Sequence, residues 1–550
     1  MQIWEQYKVG VDMALLKVIP GPLLLNAIMF LPLVTALWYA ASTLQHPTQD
    51  HTTNSKYGCA SISIPKVPDF EVISSSSIEV YNYSSATASG LNFCNVTTLL
   101  THPGAGDFVY VTTLLPLDDW NGRYVHTGGG GLTAGNIGNA EEPVSQGYAT
   151  SFTDGGLTLN RTIDPGSGLW ALKEPHVLNW ELIKNFAYRG NHAATVMGKL
   201  VVEAFYSQKP KYSYYAGCST GGRQGYFAAQ RYPDDYDGVL ADAPNFYTPQ
   251  ASGGLFWPAV VMANSVSPPN CVFETYQAAI ILACDELDGA IDGLINEPDK
   301  CEYDTKQLIG QVVQCEDTNS SVMISADYAE VVAKTLAGPR FLDGQWMWFG
   351  VPHGASFAGL AGTATVDNVT IPAPFSSTEA WYQLFVLQEP SADVSHLSYE
   401  EFDALTRDSV RLFTEVLGTE NPDLTSFRDA GRKLLTWHGL ADQLLAPGGT
   451  VLYREALERN MGSSDELNDF NRIFMAPGVA HCRGGYGPQP INALSVLANW
   501  VENGEAPETL FASITSEEGV ATSRNLCLYP KKLKYDGIGH VHSADSFSCE

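Results

Sequence analysis

The sequence is short of positive charge. It holds 31 Lys and Arg against 60 Asp and Glu, a formal net charge of −29 at pH 7. Phosphate binding needs basic patches, so this balance argues against a nucleic-acid partner. Charged residues make up only 17% of the chain, against 45% hydrophobic and 11% aromatic residues. Disorder needs the reverse balance, so the chain reads as globular. No long block of like charge occurs, and the spread acid suits the surface of a soluble extracellular protein. A second long apolar run is also missing, which excludes a multi-pass transporter. Internal repeats are absent. At 550 residues the chain is too long for one small module and can bury a large core.

One apolar run is present. No Asp, Glu, Lys or Arg lies between Lys17 and Asp50, and residues 18–42 are long enough to cross a bilayer. Two readings of residues 1–42 stand: a cleaved signal peptide ending near Ala40-Ala41-Ser42, or an uncleaved signal anchor after a long n-region. Pro20, Pro22 and Pro32 weaken a straight spanning helix without forbidding one. Either reading places the bulk of the chain outside the cytosol, secreted or membrane-tethered. Residues 43–58 form a polar tether. The even count of ten cysteines suits an oxidising compartment. Five Asn-x-Ser/Thr sequons, at Asn82, Asn95, Asn160, Asn319 and Asn368, are glycan acceptors if the chain enters that route.

After Cys59 comes a stretch read as irregular, including Ser74–Ser77. Strand-like runs follow at 108–115, 123–127 and 148–154, then a helical periodicity over 191–207. Another strand at 211–216 leads through a Gly-rich turn into a helix near 222–231 and a strand at 237–241. Strands alternating with helices predict a mainly parallel α/β sheet. From Pro249 to Pro422 the alternation is lost, and four of the ten cysteines lie there. This part reads as an inserted second domain. The sheet resumes at 432–437, with a helix near 450–459, a strand at 472–475 and a helix at 490–502. The predicted organisation is a core in two parts, 59–248 and 423–550, around an insertion at 249–422.

The turn after the 211–216 strand reads Gly217-Cys218-Ser219-Thr220-Gly221, the pattern G-x-S-x-G. A serine there sits on a sharp strand-to-helix turn that exposes its hydroxyl. A structural Gly-rich turn is the plainer alternative, so partners decide. Asp442 follows a late strand in Trp437-His438-Gly439-Leu440-Ala441-Asp442, and His481 follows the next strand in Val479-Ala480-His481-Cys482. Ser, then acid, then His is the chain order of the α/β-hydrolase fold. Serine is a weak nucleophile until an adjacent imidazole takes its proton, and a carboxylate fixes that imidazole's tautomer. Cys218 precedes the serine and Cys482 follows the histidine. If the two side chains meet, these cysteines lie within disulfide reach; unrelated bridges or free thiols are the alternative. Acyl transfer also needs donors for the carbonyl oxygen. The amide of Thr220, next after the nucleophile, is one candidate, and the Gly-rich loop 126–131 offers the other. Asp285, Asp288 and Asp292 stand three and four residues apart, a spacing open to either a hard cation or an acidic helix-capping turn.

With Cys218-Ser219, Asp442 and His481-Cys482 in this order, the sequence resembles the tannase/feruloyl esterase family from about Cys59 to Cys549. Trp120-Asn-Gly-Arg123, Gly128–Gly131, Thr153-Asp-Gly-Gly156 and Gln230-Arg-Tyr-Pro233 carry the same resemblance. It implies an α/β-hydrolase core with a large inserted lid domain. It implies a catalytic Ser219, Asp442 and His481, a Cys218–Cys482 bridge, and Gly131 as the second oxyanion donor. It implies structural Ca²⁺ held by Asp285, Asp288 and Asp292 with the carbonyls of Ala290 and Leu294. It pairs Cys59 with Cys94, Cys284 with Cys301 and Cys527 with Cys549, leaving Cys271 and Cys315 to each other. The implied activity is that of a secreted serine carboxylic-ester hydrolase. It would cleave feruloyl, hydroxycinnamoyl or galloyl esters, free or polysaccharide-linked, between core and lid near aromatics of 345–349 or 381–385. The alternatives are a catalytically silent extracellular binding module and a triad esterase for non-aromatic esters. No Lys-Arg pair occurs, so cleavage into two chains as in some fungal members is not expected.

Overall fold

The structure is a computed structural model and describes residues 58–59, 62, 64–316, 319–366, 369–517 and 519–550. The targeting segment 1–42, the tether up to residue 57 and the sequon residue Asn368 lie outside these described residues.

The chain opens with β1 (Glu71–Tyr83) and β2 (Leu91–Thr101), a long antiparallel pair. This corrects the reading of the stretch as irregular. Ser74–Ser76 are exposed and serine is not among the favoured strand residues, so β1 carries little signal of its own. Its pairing with β2, whose buried positions largely alternate, makes it a strand. Then follow β3 (Val109–Pro116), β4 (Arg123–Thr127), α1 (Ile137–Ser145) and β5 (Ala149–Thr153). Next come α2 (Gly190–Tyr206), β6 (Tyr212–Cys218), α3 (Thr220–Arg231) and β7 (Gly238–Asp242).

After β7 the chain leaves the sheet. It builds α4 (Thr248–Ala263), α5 (Asn270–Cys284), α6 (Ala326–Ala337) and α7 (Tyr399–Leu417). The loss of strand and helix alternation there thus marks a helical excursion. The helix α7 even opens on a capping box, in which Ser398 and Glu401 each hold the other's backbone N–H. The sheet resumes with β8 (Lys433–Gly439), followed by α8 (Gly448–Met461), β9 (Asn471–Ala476) and α9 (Ala493–Asn503). A hairpin of β10 (Thr509–Thr515) and β11 (Ala521–Cys527) comes last among the longer elements.

The nine strands of the main sheet lie in the order β1-β2-β3-β5-β4-β6-β7-β8-β9. From β5 to β9 every neighbouring pair is parallel, as the strand and helix alternation predicts. In such a sheet, functional loops gather at the carboxyl ends of the strands.

Trp170 and Phe186 share a core with Trp381, Tyr382 and Phe385, so the excursion packs onto the part before it. The 381–385 aromatics are core and not substrate contacts, since Tyr382 and Phe385 are 0% exposed and Trp381 3%. Each such burial contributes about 2–3 kcal/mol, which explains why they face inward. Trp348 is likewise buried, while Trp346 beside it is exposed. Among the described residues no helix is long and apolar enough to cross a membrane.

Candidate active site

The turn between β6 and α3 holds Ser219 at φ 64° and ψ −122°, a backbone conformation that costs a non-glycine residue energy. The flanking glycines make it possible. A Cβ on Gly217 would stand 2.8 Å from the Gly221 carbonyl carbon, and one on Gly221 would stand 2.9 Å from Gly129 O. Thr220 is the first residue of α3, so its N–H lies in the helix's unsatisfied first turn.

The Gly-rich loop after β4 is tied to this elbow. Gly221 N donates to Gly129 O at 3.1 Å, Gly128 N to Ala216 O at 3.0 Å, and Thr220 Oγ1 to Gly131 O at 2.7 Å. Gln224 of α3 takes the Gly129 N–H at 3.0 Å and donates to Phe186 O at 3.2 Å. Gly131 has φ +55°, and a Cβ there would stand 3.3 Å from Ser377 Oγ of the excursion. The excursion therefore reaches the loop beside Ser219.

Asp442 and His481 meet across the loops after β8 and β9. Asp442 Oδ2 and His481 Nδ1 are 2.8 Å apart, with the Asp442 side chain fully buried and that of His481 12% exposed. Asp442 Oδ1 accepts from the N–H groups of Leu444 at 2.9 Å and Leu445 at 2.8 Å. Burial alone would raise the Asp442 carboxyl. The facing His481, with hydrogen bonds from His438 and His481, outweighs it and holds the group well below the usual carboxylate range. Backbone hydrogen bonds zip the two loops together, Leu440 N to Ala476 O at 2.8 Å and Ala441 N to Val479 O at 3.0 Å. Gln443 Oε1 accepts from His481 N at 3.0 Å.

The Cys218–Cys482 disulfide joins the elbow to the histidine loop, with the Cα atoms 5.8 Å apart. It spans 264 residues of sequence. Among the described residues, Ser219 Oγ and His481 Nε2 make no hydrogen bond to each other or elsewhere. Catalytic hydrogen bonds commonly tighten only when substrate is bound. With Nδ1 occupied by Asp442, Nε2 is the nitrogen left to take a proton. The cleft lined by Leu255, Trp348, Phe349, Leu360 and Gln443 reaches Asp442, but neither Ser219 nor His481 lines it. The ester group therefore belongs elsewhere. Sequence reasoning missed Gln224 and Gln443. Each stands within five residues of a motif residue, but a lone glutamine carries no pattern.

The other disulfides are Cys59–Cys94, Cys271–Cys315, Cys284–Cys301 and Cys527–Cys549, the pairing that the resemblance implies, and no cysteine is free. Asn160 and Asn319 are exposed on turns with positive φ, and Asn82, also exposed with positive φ, stands at the irregularity near the end of β1. Asn95 sits inside β2 between Ile78 and Leu114 with its Oδ1 buried, a poor place for a glycan.

Asp285, Asp288 and Asp292 share the turn after α5. Asp285 Oδ1 accepts from Asp292 N at 3.1 Å and Gly293 N at 2.9 Å. Asp288 Oδ1 accepts from Ala290 N at 2.9 Å, and Asp292 Oδ1 from Leu294 N at 3.0 Å. Arg524 of β11 pairs with Asp292, both side chains fully buried. One guanidinium does not balance three carboxylates. Burial, with the neighbouring Asp292 and Asp285 charges, pushes Asp288 up to about 6. Asn296 Oδ1 is buried without a hydrogen-bond partner. The donors are all oxygens, the kind a hard divalent cation takes, but the three carboxylates do not converge on one point. Among the described residues, no three Asp, Glu, His or Cys side chains stand close enough together to hold a metal.

A serine elbow beside a Gly-rich loop, with acid and histidine on the next loops but one of a parallel sheet, defines an α/β-hydrolase-like esterase. The profile of the family described as "Tannase and feruloyl esterase" matches residues 94–550, and the chain belongs to that family. A probable feruloyl esterase of Arthroderma benhamiae is 41% identical over 543 residues, 96% of this chain and 98% of its own length. Feruloyl esterase B of Aspergillus niger is 32% identical over 460 residues, covering 78% of this chain and 82% of its own. Among solved structures, tannin acyl hydrolase from Aspergillus niger aligns with a TM-score of 0.80 at 26% identity, covering 88% of this chain and 93% of its own. Feruloyl esterase B from Aspergillus oryzae aligns at 0.74 and 26% identity, covering 88% and 98%. The chain is a carboxylic ester hydrolase, which sets aside the silent binding module.

Proposed function

We propose that the chain is a secreted serine hydrolase that cleaves feruloyl, other hydroxycinnamoyl or galloyl esters through an acyl-enzyme. The observation that carries this reading is the Asp442–His481 hydrogen bond, bridged by Cys218–Cys482 to the strained serine. Ser219 Oγ attacks the ester carbonyl carbon while its proton passes to His481 Nε2. The N–H groups of Thr220 and Gly131 hold the carbonyl oxygen as it becomes an anion. The intermediate collapses and the alcohol leaves with the proton from His481. Water then attacks the acyl-enzyme, again giving its proton to His481, and the acid departs from a regenerated Ser219. Residues 249–422 act as a lid. Phenolic substrates are supported by the names of the relatives.

Asp285, Asp288 and Asp292, with the carbonyls of Ala290 and Leu294, would hold Ca²⁺ as a structural ion. The ion would balance the buried carboxylates and take no part in ester cleavage. The family, the five disulfides and the exposed sequons support secretion and glycosylation.

The test is Ser219→Ala assayed on methyl ferulate, methyl gallate and acetyl xylan. A loss of at least ~10³-fold in kcat with Tm retained supports the mechanism, and unchanged turnover sinks it. Wild-type preference for acetyl xylan over both phenolic esters would point to a non-aromatic esterase.

A further inference from the structure

The sequence places a second histidine in the acid motif, four residues before Asp442. In the structure His438 is 0% exposed, at the end of β8. Its Nε2 lies 3.0 Å from Asp442 Oδ2 and 3.0 Å from Leu445 O. Its Nδ1 lies 2.8 Å from Thr450 Oγ1, itself 1% exposed, in the first turn of α8.

These contacts assign the tautomer. Two acceptors face Nε2, so Nε2 carries the hydrogen. Nδ1 then offers its lone pair, and the Thr450 hydroxyl donates to it. Asp442 Oδ2 is thus shared by two imidazoles, Nε2–H of His438 and Nδ1–H of His481. The other carboxylate oxygen is held by the Leu444 and Leu445 amides. Those amides anchor Oδ1 only. Without His438 nothing else fixes the oxygen on which His481 depends, and a buried lone pair is left without a donor, at a cost of about 1–3 kcal/mol.

We propose that His438 is a positioning residue for catalysis: it fixes the plane of the Asp442 carboxylate, and so the direction in which His481 is held. The proposal rests on the reading of Ser219, His481 and Asp442 as the reacting set. His438 touches no reacting atom and acts only through Asp442. Thr450 donates to the Nδ1 that this tautomer leaves free, which extends the chain of hydrogen bonds from α8 to the histidine loop. Misdirection of a catalytic group by as little as 1 Å costs on the order of 100-fold in rate.

The test compares His438→Leu with His438→Gln on a phenolic ester, each alongside its Tm. The Gln amide nitrogen reaches about as far as imidazole Nε2 and restores the donor. The expected result is kcat down about 10–100-fold in His438→Leu with KM within about twofold, and most of kcat restored in His438→Gln. A folded His438→Leu with wild-type kcat overturns the inference. So do equal kcat losses in both variants, which reveal packing alone. If His438→Leu does not fold, Thr450→Val carries the test. A several-fold loss of kcat at unchanged KM supports the proposal, and wild-type kcat overturns it. Ser219→Ala and Asp442→Asn run in parallel. Activity retained in those two overturns the triad itself, whereas their inactivity with an unaffected His438→Leu overturns only the role of His438.

Discussion

Cys218 and Cys482 are bonded to each other, and each is the chain neighbour of one member of the proposed reacting pair, Ser219 after the first and His481 before the second. The covalent link therefore stands beside the hydrogen-bonded machinery and not in a remote loop. It limits how far the histidine loop can drift from the elbow.

Replacing both cysteines by alanine should therefore cost activity as well as stability. Closing 264 residues of chain is worth about 5 kcal/mol in unfolded-state entropy, an upper figure because native strain and the other bridges reduce it. The expected outcome is a clearly lower Tm and a kcat reduced at least about tenfold even where the variant is folded. Alanine at Cys59 and Cys94, far along the sheet from the elbow, should lower Tm but leave kcat near wild type. Calorimetry and initial rates on wild type and the two double variants check this; equal kcat in both double variants would contradict it.

The oxyanion donors predict a separate signature. Gly131→Ala adds a side chain at φ +55° and brings it 3.3 Å from Ser377 Oγ. Displacement of one donor should lower kcat about 10²–10³-fold while KM changes little. Thr220→Val keeps the N–H but loses the hydroxyl bond to Gly131 O, so a smaller, several-fold loss is expected. Steady-state kinetics decide, and a pure KM effect in Gly131→Ala would reassign the loop to substrate binding.

His126 on β4 should make stability depend on pH. Burial pushes its imidazole down to about 4 from 6.5, against the opposing hydrogen bond with Asn191. The unfolded chain binds the proton more tightly, so stability rises with pH between about 4 and 6.5 and is lost as pH falls through that window. The effect is on the order of 3 kcal/mol at most. Melting curves at successive pH values should show a steeper decline for wild type than for His126→Gln within that window. Parallel curves would remove His126 as the cause.

Chelation should act on stability alone. EDTA is expected to lower Tm by a few degrees, and added Ca²⁺ to restore it, by mass action on the folded state. Initial rates at 25 °C should stay near those of the untreated protein. Asp288→Asn should weaken the response to both reagents. An unchanged Tm throughout would remove the ion from the 285–294 turn.

Ser219, Asp442 and His481 stand out in the sequence as a candidate trio because serine-hydrolase chemistry demands fixed residue types on strand-end loops in a fixed order, and the structure brings Asp442 and His481 together. The parallel strands were legible too, since both their faces are covered and they read as apolar runs. The β1–β2 hairpin was not. The exposed Ser74–Ser76 are held in place by β2, not by their own preference. The helices of 249–422 were obscured by glycines and prolines within them, such as Gly253, Gly254 and Pro258 of α4. Gly253 and Gly254 are explained only by contact: Met347 and Trp348 occupy the space a side chain would need. His438 was visible in its motif, yet only the distances to Asp442 and Thr450 separate it from an ordinary buried histidine.

The order of strands in the sheet also sets a timetable for synthesis. Ser219 follows β6, whose neighbour is β7, but β8, the partner of β7 on its other edge, is encoded only after the whole stretch from Asp242 to Lys433. At roughly 5–20 residues per second, the open edge of β7 waits about ten to forty seconds for its partner. During that interval the nascent chain exposes an unpaired strand edge and a lone Cys218. A thiol-disulfide isomerase and a holding chaperone would find their substrate there, and a ribosome-bound chain halted before Lys433 should be protease-sensitive at 238–242. Activity, on this schedule, is one of the last properties the growing polypeptide acquires.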